Sequence, residues 1–207
     1  MITYSGVNVL TIGGQCGTPT AMDIAVHAGR LCRFGGAVWY PLLPHLVFVG
    51  LLAYRRSGKL FNCLWGFLHD AHECVTADVP RPFKCDCMRR EQLAIDARIV
   101  ERFVGDEVID YNLIKTCDLD ACDMEAVTLG LPGYREVKAR AKDSYQAYQA
   151  DVHSDAAEID LLNRILNGPF YQNTISAQSV GVQKFAQALI YAERRNWKAL
   201  ESSIRRW

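Results

Sequence analysis

Residues 60–78 read LFNCLWGFLHDAHECVTAD, and the reading of this stretch decides the fold. Its apolar run, broken only by Asn62 and Gly66, predicts a buried helix over about Leu60 to Val75. The run ends abruptly in His69 and Asp70, with Glu73 and Asp78 just beyond. Ionisable groups are seldom buried without a partner, so four of them closing an apolar helix point to a bound metal ion.

Apolar runs recur on both sides. Residues 37–54, AVWYPLLPHLVFVGLLAY, carry no charge apart from that of a protonated His45. At about 18 residues the run is near the lower limit for a membrane span, and two prolines and a histidine argue against one. The expectation is a buried helix from about Pro44 to Arg56, opened by a proline tolerated in its first turn and closed by Ser57-Gly58. Further upstream, Thr20 or Asp23 can cap a helix with Ile24, Ala28, Leu31 and Cys32 inward, which Gly35-Gly36 stops. Residues 1–20, rich in glycine, read as irregular or as a short strand pair.

Downstream, two prolines hold 79–82 extended. Residues 88–104 form an amphipathic helix with Leu93, Ile95, Ile99, Val100 and Phe103 inward, and another spans about Val108 to Thr128. Beyond the break at 130–133, residues 134–167 and 176–206 read as helical and polar on one side. With no repeat and no convincing strand, the 207-residue chain reads as all-α, a compact single-domain helical bundle. Its core covers about 23–126, and a C-terminal helical extension about 134–207.

Lys and Arg together number 23, as do Asp and Glu, so the chain has no net charge and no basic tract. No nucleic-acid polymer and no anionic membrane is an expected partner, whereas a single nucleotide needs only a few placed cations. The eight cysteines could suggest a disulfide scaffold, but the first basic residue is Arg30, so the charged start of a secretory leader is missing. Free thiols in a reducing cytoplasm are expected. Cys85 and Cys87 lack the two-residue gap of a zinc knuckle.

On one helix, His69, Asp70 and Glu73 reach one side, and further ligands must come from elsewhere. His45, inside an apolar helix, is one candidate, against the blander reading of a hydrogen-bonded core histidine. The segment IKTCDLDACDME supplies Asp118, which competes with Asp120 and Asp123. His72 reads as a supporting or surface group, and His27 as an alternative first ligand. Trp39-Tyr40 suits either a stacking surface for a base or plain core. Arg81, between two prolines, is placed to reach a phosphate from a rigid loop or to face water.

The ordered set of His, then His-Asp, then a distant Asp resembles the HD-domain metal-dependent phosphohydrolases. Within them the likeness is to the small nucleotidase branch of deoxyribonucleoside 5′-monophosphatases and phage dATP triphosphohydrolases. It covers roughly residues 23–126 and rests on DIAVHAGRLCRFGG, PHLVFVGLL, LHDAHECVTADVPRPFK and IKTCDLDACDME. The third of these is highly specific. The resemblance implies metal ligation by His45, His69, Asp70 and Asp118, with Glu73 positioning or activating the attacking water. It implies Asp78 on the sugar hydroxyl or a second metal, Arg33 on phosphate and Phe34 against sugar or base, with a further phosphate contact from Lys115. The implied cofactor is a divalent transition metal, Zn, Co or Mn, with additional Mg. The implied reaction is deoxynucleotide hydrolysis, with dATP triphosphohydrolase favoured over 5′-monophosphatase, by a homo-oligomer in the cytoplasm of a bacterium or phage-infected host. A nucleotide-binding regulator without turnover is the alternative. Leu46 and Ala37 depart from the family pattern and leave base preference open.

Overall fold

The structure is a computed structural model that describes residues 3–7, 17–79, 83–131, 155–172 and 176–207. Among these residues it is helical throughout, with one isolated bridge between Cys32 and Pro41 and no strand. Helix α1 (Ala21–Ala28) opens on Thr20, whose hydroxyl accepts from the Asp23 amide while the Asp23 carboxylate accepts from Thr20, a complete capping box. It stops at Ala28, leaving Leu31 and Cys32 outside it. A turn of 3-10 helix at Phe34–Gly36 leads to α2 (Leu42–Ser57), which Gly58 ends in the left-handed conformation, φ 66°.

Helix α3 (Leu60–Leu68) is shorter than its apolar run predicts. It stops at His69, and a turn over 69–72 separates it from the four-residue α4 (Glu73–Thr76). Among the described residues helices α2 and α3 form the most extensive contact, where two glycines let their backbones meet. A Cβ placed on Gly66 would lie 2.5 Å from the Gly50 Cα, and one on Gly50 would collide with the Phe67 ring.

Helix α5 (Asp86–Ile99) runs into a π-helical turn at Val100–Val104. Ile95, Ile99 and Phe103 are fully buried as expected, but Leu93 is 68% exposed. Helix α6 (Tyr111–Thr128), capped by Asp110, packs on α2 and α3. Helices α7 (Ala156–Leu166), α8 (Val180–Glu193) and α9 (Trp197–Ile204) follow. Of the predicted 134–167 helix only its last part falls within the described residues, as does none of 80–82. The C-terminal helices are built into the same core as α1–α3: Phe185 and Leu189 of α8 are fully buried, and α8 packs along α1.

The arginines at the end stay at the surface. Arg205 pairs with Glu201, and Arg195 donates to the Glu101 carbonyl. The free-thiol expectation holds for Cys32, Cys63, Cys74, Cys117 and Cys122 but is corrected at Cys85 and Cys87, whose sulfurs are joined as a disulfide. Among the described residues no helix is long and apolar enough to cross a membrane.

Candidate metal centre and pocket

Two adjacent candidate ligands stand where α3 ends. His69 and Asp70 follow directly on its last residue, and although adjacent in sequence both bring a ligand atom to one place. Their partners come from the interior of α2 and the middle of α6. One nitrogen or carboxylate oxygen from each of His45, His69, Asp70 and Asp118 lies within 4.8 Å of all the others. His45 Nε2 is 3.2 Å and His69 Nε2 is 3.5 Å from Asp118 Oδ1, and His69 Nε2 is 3.4 Å from Asp70 Oδ2.

Whether these residues suit an ion is decided by the imidazoles. His45 Nδ1 lies 2.9 Å from the Glu125 carboxylate and His69 Nδ1 lies 2.9 Å from the Gly66 carbonyl. Both partners only accept, so each Nδ1 carries the proton and each Nε2 presents a lone pair in the neutral ring. Both Nε2 atoms are buried and lack a hydrogen bond of acceptable geometry. Two orphaned buried lone pairs aimed at two carboxylates form a donor set for a divalent ion. The spacings agree: ligands about 2.0–2.2 Å from one tetrahedral ion stand about 3.3–3.6 Å apart.

Electrostatics favour a cation at the same point. Burial alone would push His69 down, but Asp70 and Asp118 outweigh it and raise its pKa well above the usual histidine value. Burial would raise Asp70 and Asp118, yet His69 holds Asp70 well below the usual carboxylate range, and His45 with His69 does so for Asp118.

Beside the cluster opens a cavity of about 470 Å³, the size of a small-ligand pocket. Asp70 and Asp118 face it together with Glu73 and the cations Arg33, Lys84 and Arg89. Glu73 is 5% exposed, and its Oε2 is buried without a partner. Burial, then Asp70 and Asp78, push its pKa up to about 8, with Lys84 Nζ 3.7 Å from Oε1 pulling weakly the other way. Arg33 is held by Asp70 at 3.6 Å and donates to Cys122 Sγ at 3.0 Å. Asp78 is exposed and lines the cavity just after Ala77, whose φ of 64° and ψ of 165° belong to a region ordinarily left to glycine. No family model matches the chain, and no curated protein does.

The other candidates fall in different places. Phe34 packs on Tyr40 with ring centres 6.1 Å apart and is not part of the cavity wall. Trp39 is 48% exposed and Lys115 is exposed, both away from the wall. Arg81 lies outside the described residues. His27 is half-buried on α1 and belongs to no donor cluster. Among the three aspartates of α6, Asp120 is taken by Arg56 at 2.6 Å and Asp123 is buried, which leaves Asp118 at the cluster. His72 is buried with Nδ1 2.9 Å from Asp96 Oδ1, and it lines the cavity. Sequence reasoning missed Lys84, Arg89, Asp96 and Glu125. Lys84 closes the motif segment quoted above, and that position was the one signal for it. The other three sit on helices whose polar positions look alike until the fold selects among them.

Proposed function

We propose that the protein is a metal-dependent phosphohydrolase of deoxynucleotides, of the HD-domain type. The observation that carries the reading is the convergence of two unpartnered imidazole nitrogens and two carboxylates beside a cavity lined by Arg33, Lys84 and Arg89. His45, His69, Asp70 and Asp118 would hold one divalent transition ion. Such an ion polarises a phosphoryl oxygen and acidifies water.

The chain's own groups supply the rest. Arg33 and Lys84 neutralise phosphate oxygens, Arg33 with a planar donor pair fixed by its neighbours. Glu73, raised to about 8, is matched to accept the proton of an attacking water near neutral pH and to return it to the departing sugar oxygen. Asp78, on the cavity wall, accepts a hydrogen bond from a sugar hydroxyl. The preferred reaction releases deoxynucleoside and triphosphate from a deoxynucleoside triphosphate such as dATP, with Arg33, Lys84 and Arg89 on the cavity wall to meet its phosphates.

The test is a turnover panel of deoxynucleoside mono- and triphosphates with Mn, Co, Zn or Mg, reading nucleoside, phosphate and triphosphate. Release above that of a His69→Ala, Asp70→Ala control is expected. Triphosphate product supports the preferred reaction, and phosphate from monophosphates replaces it with 5′-monophosphatase action. Nucleotide binding without product under every metal would make the protein a nucleotide-binding regulator and end the enzyme reading.

A further inference from the structure

Glu125, two turns along α6 from Asp118, is entirely buried, and its carboxylate is surrounded by groups that serve the site. Its Oε1 accepts from the Tyr40 hydroxyl at 2.8 Å and from His45 Nδ1 at 2.9 Å; its Oε2 lies 3.1 Å from the same nitrogen. Arg33 Nε lies 4.0 Å from Oε2. A carboxylate buried among apolar residues costs several kcal/mol in lost hydration unless its partners repay it. Helix α6 also buries Ile114, Cys117 and Ala121 in the apolar core, so Glu125 is a charge set into a helix that packs through apolar residues as well.

We propose that Glu125 is the positioning residue of the metal centre. It acts through His45, and the inference rests on the metal reading given above. Two oxygens astride one N–H fix both the rotation of the ring and the nitrogen that carries the proton. The lone pair is therefore committed to Nε2, 3.2 Å from Asp118. His69 is treated differently: its Nδ1 is held by a neutral carbonyl of its own helix. A carboxylate partner makes an imidazole a stronger donor than a carbonyl partner does, so the centre has one strong and one ordinary nitrogen ligand. The Tyr40 hydroxyl donates to Oε1 as well, but Nδ1 remains within reach of both oxygens without it. Because Arg33 faces the same carboxylate, one buried charge serves both the cage and the cation that faces the cavity.

The test measures metal binding without turnover. Cobalt(II) affinity and the visible absorption of bound cobalt are read for the full chain, for Glu125→Gln and for Tyr40→Phe, beside the stability of each metal-free protein. Glu125→Gln is expected to weaken cobalt binding by about 10- to 100-fold and to shift the absorption bands, since the amide keeps one acceptor for Nδ1–H but removes the charge that strengthens the imidazole as a donor to the metal. Tyr40→Phe leaves both oxygens facing His45, so its affinity stays near wild type even where its stability falls. Glu125→Asp, which draws the carboxylate back by one methylene, takes the place of Glu125→Gln should that variant not fold, with the same weakening expected. Wild-type cobalt affinity in a folded Glu125 variant, or losses in the Glu125 and Tyr40 variants that simply follow their stabilities, overturns the proposal. A wild-type protein that binds no cobalt instead sinks the metal reading itself.

Discussion

The two walls of the site are built in opposite ways. The cage side hangs from α2, α3 and α6, where His45 is fully buried, both imidazoles have a fixed second partner, and α2 meets α3 backbone to backbone at Gly50 and Gly66. The pocket side is a turn, the four-residue α4, a strained Ala77, and the outward face of α5 with Arg89 and exposed Leu93. Close packing holds the first on every side, whereas the second, though rooted in the core by Ala71, Cys74 and Val75, reaches solvent at Ala77, Asp78, Arg89 and Leu93. The division suits a site that must hold an ion in one geometry while admitting and releasing a ligand.

The largest test of this contrast is Gly66→Ala. Its methyl would meet main-chain atoms of Gly50 and Val49, which cannot rotate away, so a loss of about 3 kcal/mol is expected in urea denaturation. Metal binding should fall with it, since the helices that carry His45 and His69 are forced apart. Wild-type stability in this variant would break the claim that the glycine contact sets the cage.

Next comes the ion. At about 100 times its Kd, zinc or cobalt should stabilise the wild type by about 2.7 kcal/mol, read as a shift in the denaturation midpoint. Asp118→Asn should lose this gain, whereas Lys84→Ala should keep it while weakening phosphate-bearing ligands. Equal losses in both variants would mean that cage and pocket are one unit.

A smaller effect follows from Glu73. Its folded pKa of about 8 stands above its ordinary value of 4.5, so between these limits the folded state binds the extra proton. The metal-free protein therefore loses stability from this group as pH rises from 4.5 through 8. Glu73→Gln should flatten that decline in chelator-treated protein; an unchanged pH profile would remove the case for a raised Glu73. The smallest effect is expected from Ala77→Gly, which relieves a backbone strain of about 1 kcal/mol and should raise stability by that order with metal affinity untouched.

The helical class was open to view because apolar residues at helical spacing and glycine stops mark α1, α2 and α6 along the chain. The polar residues inside apolar runs were legible for the same reason: His45, His69 and Asp70 interrupt stretches with no other charge. What the sequence hid were facts of three dimensions. Nothing at His69 announces a helix end, because Ala71, Cys74 and Val75 continue the apolar character past it and no glycine or proline intervenes. Leu93 looked inward by its type, yet α5 turns that position toward the cavity mouth. Asp118, Asp120 and Asp123 look alike in sequence, and the fold separates them: Arg56 reaches Asp120 from α2, and Asp123 is buried. Glu125 and Asp96 act through neighbours 80 and 24 positions away, a relation no spacing rule contains.

The meeting of Gly50 and Gly66 has a consequence for how this centre tolerates change. Neither glycine puts a side chain of its own between α2 and α3, so the separation of the two imidazoles follows how closely the two main chains pass. Swaps among leucine, isoleucine and valine elsewhere in the core can alter how firmly the chain folds, yet they leave this dimension alone. The grip of the cage is thereby insulated from drift in the core, and retuning it for an ion of another size would have to begin at the two glycines.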